Sequence, residues 1–300
     1  MPTLELDHLT KTYGSGDSVV HALTDMTFTV APGEIYGFVG SNGAGKSTAM
    51  RIALGVLAPD SGEARVDGVR INDDIRRTIG YMPEERGLYD KERITDQLIF
   101  FGRLHGLTKQ AATRNTADLL EQLGLTGRAQ SKLQELSLGN QQRVQLAASL
   151  IHDPELLILD EPFSGLDPVA VSVMSDLLIA KAAEGVPVLF SSHQLDLVQR
   201  LCHRVGIITA GEMRAQGTVA DLRNSGPVRY EVRTAARGWL PPGAVIVDGD
   251  GDGDQDAVVV DPGDNDDQTV LTAALAAGPV HGFTRRIPDL TDLFKEVVSS

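Results

Sequence analysis

Apolar and polar residues alternate at Leu4, Leu6 and Leu9 and again at Met26, Phe28 and Val30, the two-residue period of half-buried strands. The apolar run Ile35-Tyr-Gly-Phe-Val39 predicts a short buried strand, and residues 48–54 then take helical spacing. Ala58-Pro-Asp-Ser-Gly62 ends that helix with turn residues, and Arg77-Thr-Ile-Gly-Tyr-Met82 reads as a strand stopped by Pro83. From about Ile94 to Ile151 the period is helical, with stripes at Leu98, Phe101 and Leu104 and at Ala117, Leu120 and Leu123, both assigned to core packing. Two continuous apolar runs, Leu156-Leu-Ile-Leu-Asp160 and Val186-Pro-Val-Leu-Phe190, flank a helical stretch from about Val169 to Ala183. Such runs suit strands buried on both faces, so the pattern predicts βαβ connections and a parallel sheet.

Residues 207–215 resemble a closing hairpin, and Asn224-Ser-Gly-Pro227 carries boundary residues. Beyond them, strands are expected near 228–232, 245–247 and 258–260, and helices near 269–277 and 290–298. The expected fold class is α/β, with a mostly parallel core sheet, an antiparallel β region and a helical segment at about 90–152. These lie within a first domain at residues 1–224, followed by a small α+β domain at 226–300. No solenoid or propeller period is present.

Charge narrows the partners. The 300 residues carry a formal net charge of −14, which argues against nucleic acid as the principal partner. Nine aspartates fall between Asp248 and Asp267, and no Lys or Arg occurs from Gly238 to Thr284. The single cysteine, Cys202, cannot form an intramolecular disulfide and suits a reducing cytosol. The N-terminus shows no signal-peptide pattern, and no apolar run approaches the length that spans a bilayer. Work at a membrane would therefore require another chain for the membrane part.

The chemistry concentrates at Gly40-Ser41-Asn42-Gly43-Ala44-Gly45-Lys46-Ser47-Thr48, which fills every fixed position of the phosphate-binding P-loop, G-x-x-x-x-G-K-[ST]. Its glycines let backbone N–H groups approach a phosphate, and the start of the following helix adds unpaired donors and a favourable dipole. Lys46 supplies a cation for the β- and γ-phosphates, and the Ser47 hydroxyl is placed to ligate Mg²⁺. An ordinary glycine-rich strand–helix turn is the alternative, and the specific Gly-Lys-Ser run weighs against it.

Asp160-Glu161 ends an apolar strand, where a parallel sheet presents its ligand edge. In P-loop proteins a carboxylate there holds Mg²⁺, and a second beside it can accept a proton from, or orient, the attacking water. Two acidic residues capping the next helix are the plainer alternative. Leu136-Ser137-Leu138-Gly139-Asn140-Gln141-Gln142-Arg143 precedes this strand, Ser164-Gly165-Leu166-Asp167 follows it, and Ser192-His193 ends the next strand. In this order, over roughly residues 3–222, the chain closely resembles the ATP-binding cassette (ABC) ATPases, whose family signature is Leu-Ser-x-Gly.

The resemblance implies a P-loop NTPase cassette fold, ATP and Mg²⁺ as cofactors, and a role for each motif. Tyr13 would stack on adenine, and Glu84 occupies the Q-loop position near the metal. Residues 137–141 would meet a partner's ATP. Asp160 and Glu161 would be the metal-holding and catalytic carboxylates, Asp167 the D-loop aspartate, and His193 the γ-phosphate switch. Packing alone remains the alternative for Tyr13, and an ordinary structural role for His193. The family dimerises head to tail around two ATP, as a homodimer or with a related cassette.

Two motifs depart from the common pattern: the signature, with Leu138 and Asn140, and the Q-loop, with Glu84 in place of glutamine. Both variations, and the short C-terminal domain, resemble a bacterial branch of drug- and sodium-efflux ATPases whose permease is a separate chain. The expected function is thus an exporter ATPase, peripheral at the cytoplasmic face of the membrane, with an integral-membrane permease as partner. The alternatives are a soluble non-transport ABC ATPase and, more remotely, a P-loop kinase. Asp248-Gly-Asp-Gly-Asp-Gly253 imitates half of an EF-hand, but Val259 stands at the twelfth position, so an acidic hairpin tip is expected, with a weak Ca²⁺ site as the remote alternative.

Overall fold

The computed structural model describes residues 1–15, 18–85, 87–224, 228–248 and 257–299. The acidic stretch 249–256, and with it most of the EF-hand-like sequence, lies outside the described residues. The described residues form two compact units that divide between Val219 and Ala220.

In chain order the first unit runs β1 (Leu4–Tyr13), β2 (Val20–Val30), β3 (Ile35–Val39), α1 (Lys46–Ala53), β4 (Ser61–Val66), β5 (Val69–Arg70), α2 (Asp73–Arg77) and β6 (Ile79–Met82). It continues α3 (Ile94–Leu104), α4 (Lys109–Gln122), α5 (Leu138–Leu150), β7 (Leu156–Leu159), α6 (Pro168–Ala183), β8 (Val188–Ser192), α7 (Leu195–Leu201), β9 (Arg204–Thr209) and β10 (Glu212–Thr218). The helix α8 (Val219–Asn224) spans the division. The second unit follows with β11 (Arg229–Thr234), β12 (Val245–Asp248), β13 (Ala257–Asp261), α9 (Asp267–Ala277), β14 (Val280–Arg286) and α10 (Leu290–Ser299).

The core sheet has the order β10-β9-β3-β8-β7-β6 and is parallel except for β10, which pairs antiparallel with β9. Every residue of β3, β7 and β8 is buried, as the unbroken apolar runs require of strands covered on both faces. An antiparallel sheet, β2-β1-β4-β5, joins it through a shared core in which the Phe28 ring stacks on Tyr36 at 5.0 Å and tilts against Phe38 at 5.3 Å. The second unit has its own antiparallel sheet, β12-β13-β11-β14, over a core that includes Val232, Val260, Val270 and Ala274.

Three local expectations are corrected. In α3 the buried stripe is Ile94, Gln97, Leu98 and Gly102, while Leu104 is exposed; Gly102 serves because its bare Cα faces Ala112 and Ile151. In α4 the stripe is Ala112, Thr116, Leu119 and Leu120, and Ala117 faces solvent. The strand expected over residues 77–82 begins only at Ile79, because residues 73–77 form a short helix that the Asn72 side chain caps by accepting from the Asp74 and Ile75 N–H groups. No helix among the described residues is long and apolar enough to cross a membrane.

Candidate functional site

The loop between β3 and α1 takes its shape from glycine. Gly43 and Gly45 lie at φ 80 and φ 106, a region costly for other residues, and a Cβ on Gly45 would collide with the Ala22 carbonyl. Gly40 is held equally closely, since a Cβ there would sit 2.6 Å from Ile208 O. The loop is also tied to the β9–β10 turn, where Gly211 N–H donates to Ala44 O at 3.0 Å. The result is a concavity of about 220 Å³ lined by residues 41–48, Val20, Ala22, Glu84, Asp160 and Glu161.

Lys46 starts α1 and is buried, with its ammonium turned back onto the loop: Nζ donates to Gly40 O at 2.6 Å and to Ser41 O at 3.2 Å. Nζ also lies 3.7 Å from Glu161 Oε1. A buried ammonium needs such partners, and carbonyls that hold it at the loop leave it ready to exchange them for a stronger anion.

The two carboxylates sit where β7 ends. Asp160 and Glu161 are both buried, at 3% and 7% exposure. Glu161 adopts φ 48, a left-handed conformation rare for a residue with a side chain. Its Oε2 lies 2.9 Å from His193 Nδ1, whereas Oε1 is buried with no hydrogen-bond partner. His193 follows the end of β8 and its side chain is 55% exposed.

Two residues that pattern reasoning passed over complete this corner. Ser191 in β8 donates from Oγ to Asp160 Oδ1 at 2.6 Å and accepts from Glu161 N–H at 2.8 Å. Gln145 in α5 donates from Nε2 to Pro83 O at 2.7 Å and to Glu85 O at 3.3 Å, gripping both sides of exposed Glu84. The signals in the sequence were a polar pair, Ser191-Ser192, closing an apolar strand, and a glutamine, Gln145, set within the apolar run Val144–Ala148 of α5.

The remaining candidates lie apart from the concavity. Ser137 caps α5, its Oγ accepting from Asn140 N–H at 3.4 Å, which leaves the hydroxyl proton for another acceptor. Residues 137–141 do not line the P-loop concavity. Leu138 is exposed and reaches Gly165, while Gly139 faces Ala170 and Asp167. Asp167 caps α6, with Oδ1 accepting from Ala170 N–H at 2.8 Å. Tyr13, 42% exposed, ends β1 opposite Val20, itself in the concavity wall. Asp60 anchors this strand end by accepting from Lys11 Nζ and from the Thr12 N–H and hydroxyl, bonds that pull its pKa down to about 2.

Residues 23–164 match the family model described as "ABC transporter". The chain is 40% identical over 222 residues to the ABC transporter ATP-binding protein YhaQ of Bacillus subtilis, covering 74% of this chain and 73% of that one. It belongs to the ABC transporter ATP-binding proteins. The linearmycin resistance ATP-binding protein LnrL of the same organism is 37% identical, with 73% of this chain and 70% of that protein covered. A solved ATP-binding subunit of an ABC transporter superimposes with a TM-score of 0.67 at 32% identity, over 74% of this chain and 92% of that one. The α/β cassette fold is thereby borne out, and the chain is an ABC ATPase that binds ATP. A non-transport role is not favoured by these relatives.

The donors around the concavity fit a hard divalent cation that keeps much of its water. They are hydroxyl and carboxylate oxygens, and among the described residues no cluster of three or more His, Cys, Asp or Glu side chains can enclose a metal. Mg²⁺ favours such sparse oxygen sets, completing its shell with water and phosphate oxygens. Ser191 occupies Asp160 Oδ1 and leaves Oδ2 for this use.

Proposed function

We propose that this cassette is the ATP-hydrolysing subunit of an exporter, peripheral at the cytoplasmic face of the membrane and driving a separate integral-membrane permease. The observation that carries the hydrolytic reading is the buried Glu161 carboxylate in the wall of the phosphate concavity, one oxygen free of hydrogen bonds and 3.7 Å from Lys46 Nζ, the other beside His193. The export reading draws on the resistance protein LnrL and on the signature and Glu84 departures.

In this reading the ATP phosphates take the N–H groups of residues 43–48, and Lys46 leaves the carbonyls of Gly40 and Ser41 for phosphate oxygens. Tyr13 stacks on the adenine. Glu161 accepts the proton of the attacking water, and His193 holds that carboxylate while reaching the γ-phosphate. Ser47, Asp160 and Glu84 would hold Mg²⁺, which when bound neutralises charge building on the transferred phosphate.

Ser137, Gly139 and the N–H groups opening α5 form a second anion site outside this concavity. Two copies packed head to tail, or one with a related cassette, would let each signature close the other's ATP, with Asp167 at the seam. ATP then holds the dimer together and hydrolysis releases it. The C-terminal unit has no assigned catalytic group.

Glu161→Gln tests the proposal. It should bind ATP, lose turnover and run as a dimer on sizing chromatography with ATP and Mg²⁺. A variant that stays monomeric, or that hydrolyses at the parental rate, refutes it.

A further inference from the structure

Ser191 is wholly buried at the end of β8, beside β3 through its pairing with Phe38. A buried hydroxyl among apolar strands is costly unless both its proton and its lone pairs are used. Here both are used, and both go to the two carboxylate-bearing residues of the site. The proton goes to Asp160 Oδ1 at 2.6 Å, and an oxygen lone pair takes the Glu161 N–H at 2.8 Å.

We propose that Ser191 is a positioning residue for the hydrolytic centre, setting Asp160 toward the metal and Glu161 toward the attacking water with a single hydroxyl. The inference rests on the roles given to Asp160 and Glu161 above. Donation to Oδ1 restricts the rotation of the Asp160 carboxylate and leaves its other oxygen for the metal. Acceptance from Glu161 N–H holds a backbone that sits at φ 48. Such a conformation persists only when the surroundings over-determine it. The side chain that follows from it carries an oxygen 2.9 Å from His193 and another 3.7 Å from Lys46. Register explains why one residue can do both. Leu159 pairs with Phe190, so the next step along the two parallel strands brings Asp160 and Ser191 side by side as the ladder ends.

A residue that merely filled core volume would be replaced by alanine or cysteine with a change in stability alone. A positioning hydroxyl has a different signature. Ser191→Ala should leave ATP binding without metal unchanged, because Ser191 does not line the concavity. It should raise the Mg²⁺ concentration needed for half-maximal turnover and lower kcat by about tenfold or more, with KM for ATP little altered. Ser191→Thr keeps the hydroxyl and should recover most of the rate, whereas Ser191→Cys, a weak donor of similar size, should not.

The experiment measures fluorescent-ATP affinity in EDTA, the Mg²⁺ dependence of turnover, and the melting temperature for all three variants beside Glu161→Gln. Parental kcat and Mg²⁺ dependence in folded Ser191→Ala or Ser191→Cys overturns the inference, as does a threonine variant no better than alanine. A fall in metal-free ATP affinity parallel to the fall in rate overturns it too. Should Glu161→Gln itself hydrolyse at the parental rate, the underlying role of Glu161 fails instead, and the two failures remain distinct.

Discussion

His193 Nδ1 stands 2.9 Å from one oxygen of Glu161, while the other oxygen faces Lys46 Nζ at 3.7 Å. The carboxylate therefore spans from the half-exposed edge of the site to its buried ammonium. Because His193 does not line the phosphate concavity and Lys46 does, their losses should separate. His193→Ala should lower kcat on the order of 100-fold at a smaller cost in nucleotide affinity, whereas Lys46→Ala should weaken binding itself. Equilibrium binding of fluorescent ATP, set beside steady-state rates, checks both; equal loss of affinity in the two variants contradicts this division.

The P-loop glycines should differ in the same graded way. Gly43 has positive φ with open space around its Cα, so Gly43→Ala bears only the backbone strain, about 1–2 kcal/mol. Gly45 has positive φ and its added methyl would strike the Ala22 carbonyl, so Gly45→Ala should melt lower still and lose ATP binding. Thermal melts of the pair give the test, and equal melting temperatures would count against the crowding at Gly45.

Much of the architecture was legible because burial on two faces demands unbroken apolar strands, as at Leu156–Leu159, and because a P-loop needs glycine where φ is positive. The helical stripes were less legible. Phe100 and Leu104 are apolar yet exposed, while Gln97 and Thr116 are polar yet buried, so hydrophobicity misplaces the inner face. Ser191 and Gln145 stand out as polar residues in apolar surroundings, but what they bond was not legible: their partners lie 31 and 62 residues away, and no local period encodes such pairs.

Acid should weaken the first unit through His152. Its ring stacks on His105 with centroids 3.8 Å apart. Burial, with His105 adding to it, pushes its pKa from 6.5 down to about 4. Asp73, Arg76, Arg77 and Tyr81 line the same cleft, and Asp153 adjoins it. The folded state favours the neutral ring, so this contribution is complete above pH 6.5 and is lost progressively as pH falls toward 4. His152→Gln should flatten the fall of stability across that window by about one proton's worth. Denaturant midpoints at several pH values test the sign; parallel pH profiles for the two proteins contradict it.

Glu84 lines the phosphate concavity between two carbonyls held by Gln145. A carboxylate there adds negative charge near the phosphates, which opposes ATP unless a cation lies between them. Glu84→Gln should therefore improve ATP affinity when Mg²⁺ is scarce and flatten its dependence on the metal. Titrations of affinity against Mg²⁺ for both proteins decide this, and superimposable curves reject it.

In the proposed dimer each ATP is closed between one copy's P-loop and another copy's signature, and mixing two inactive variants probes that arrangement. Lys46→Ala breaks the P-loop side, and Ser137→Ala breaks the signature side. A heterodimer of the two keeps one composite site intact and puts both lesions in the other. Either variant alone should turn over little, and mixing should recover ATPase activity, approaching about half the parental rate per heterodimer if the sites act independently. Heterodimers that form, as shown by two affinity tags, yet recover no activity would contradict it.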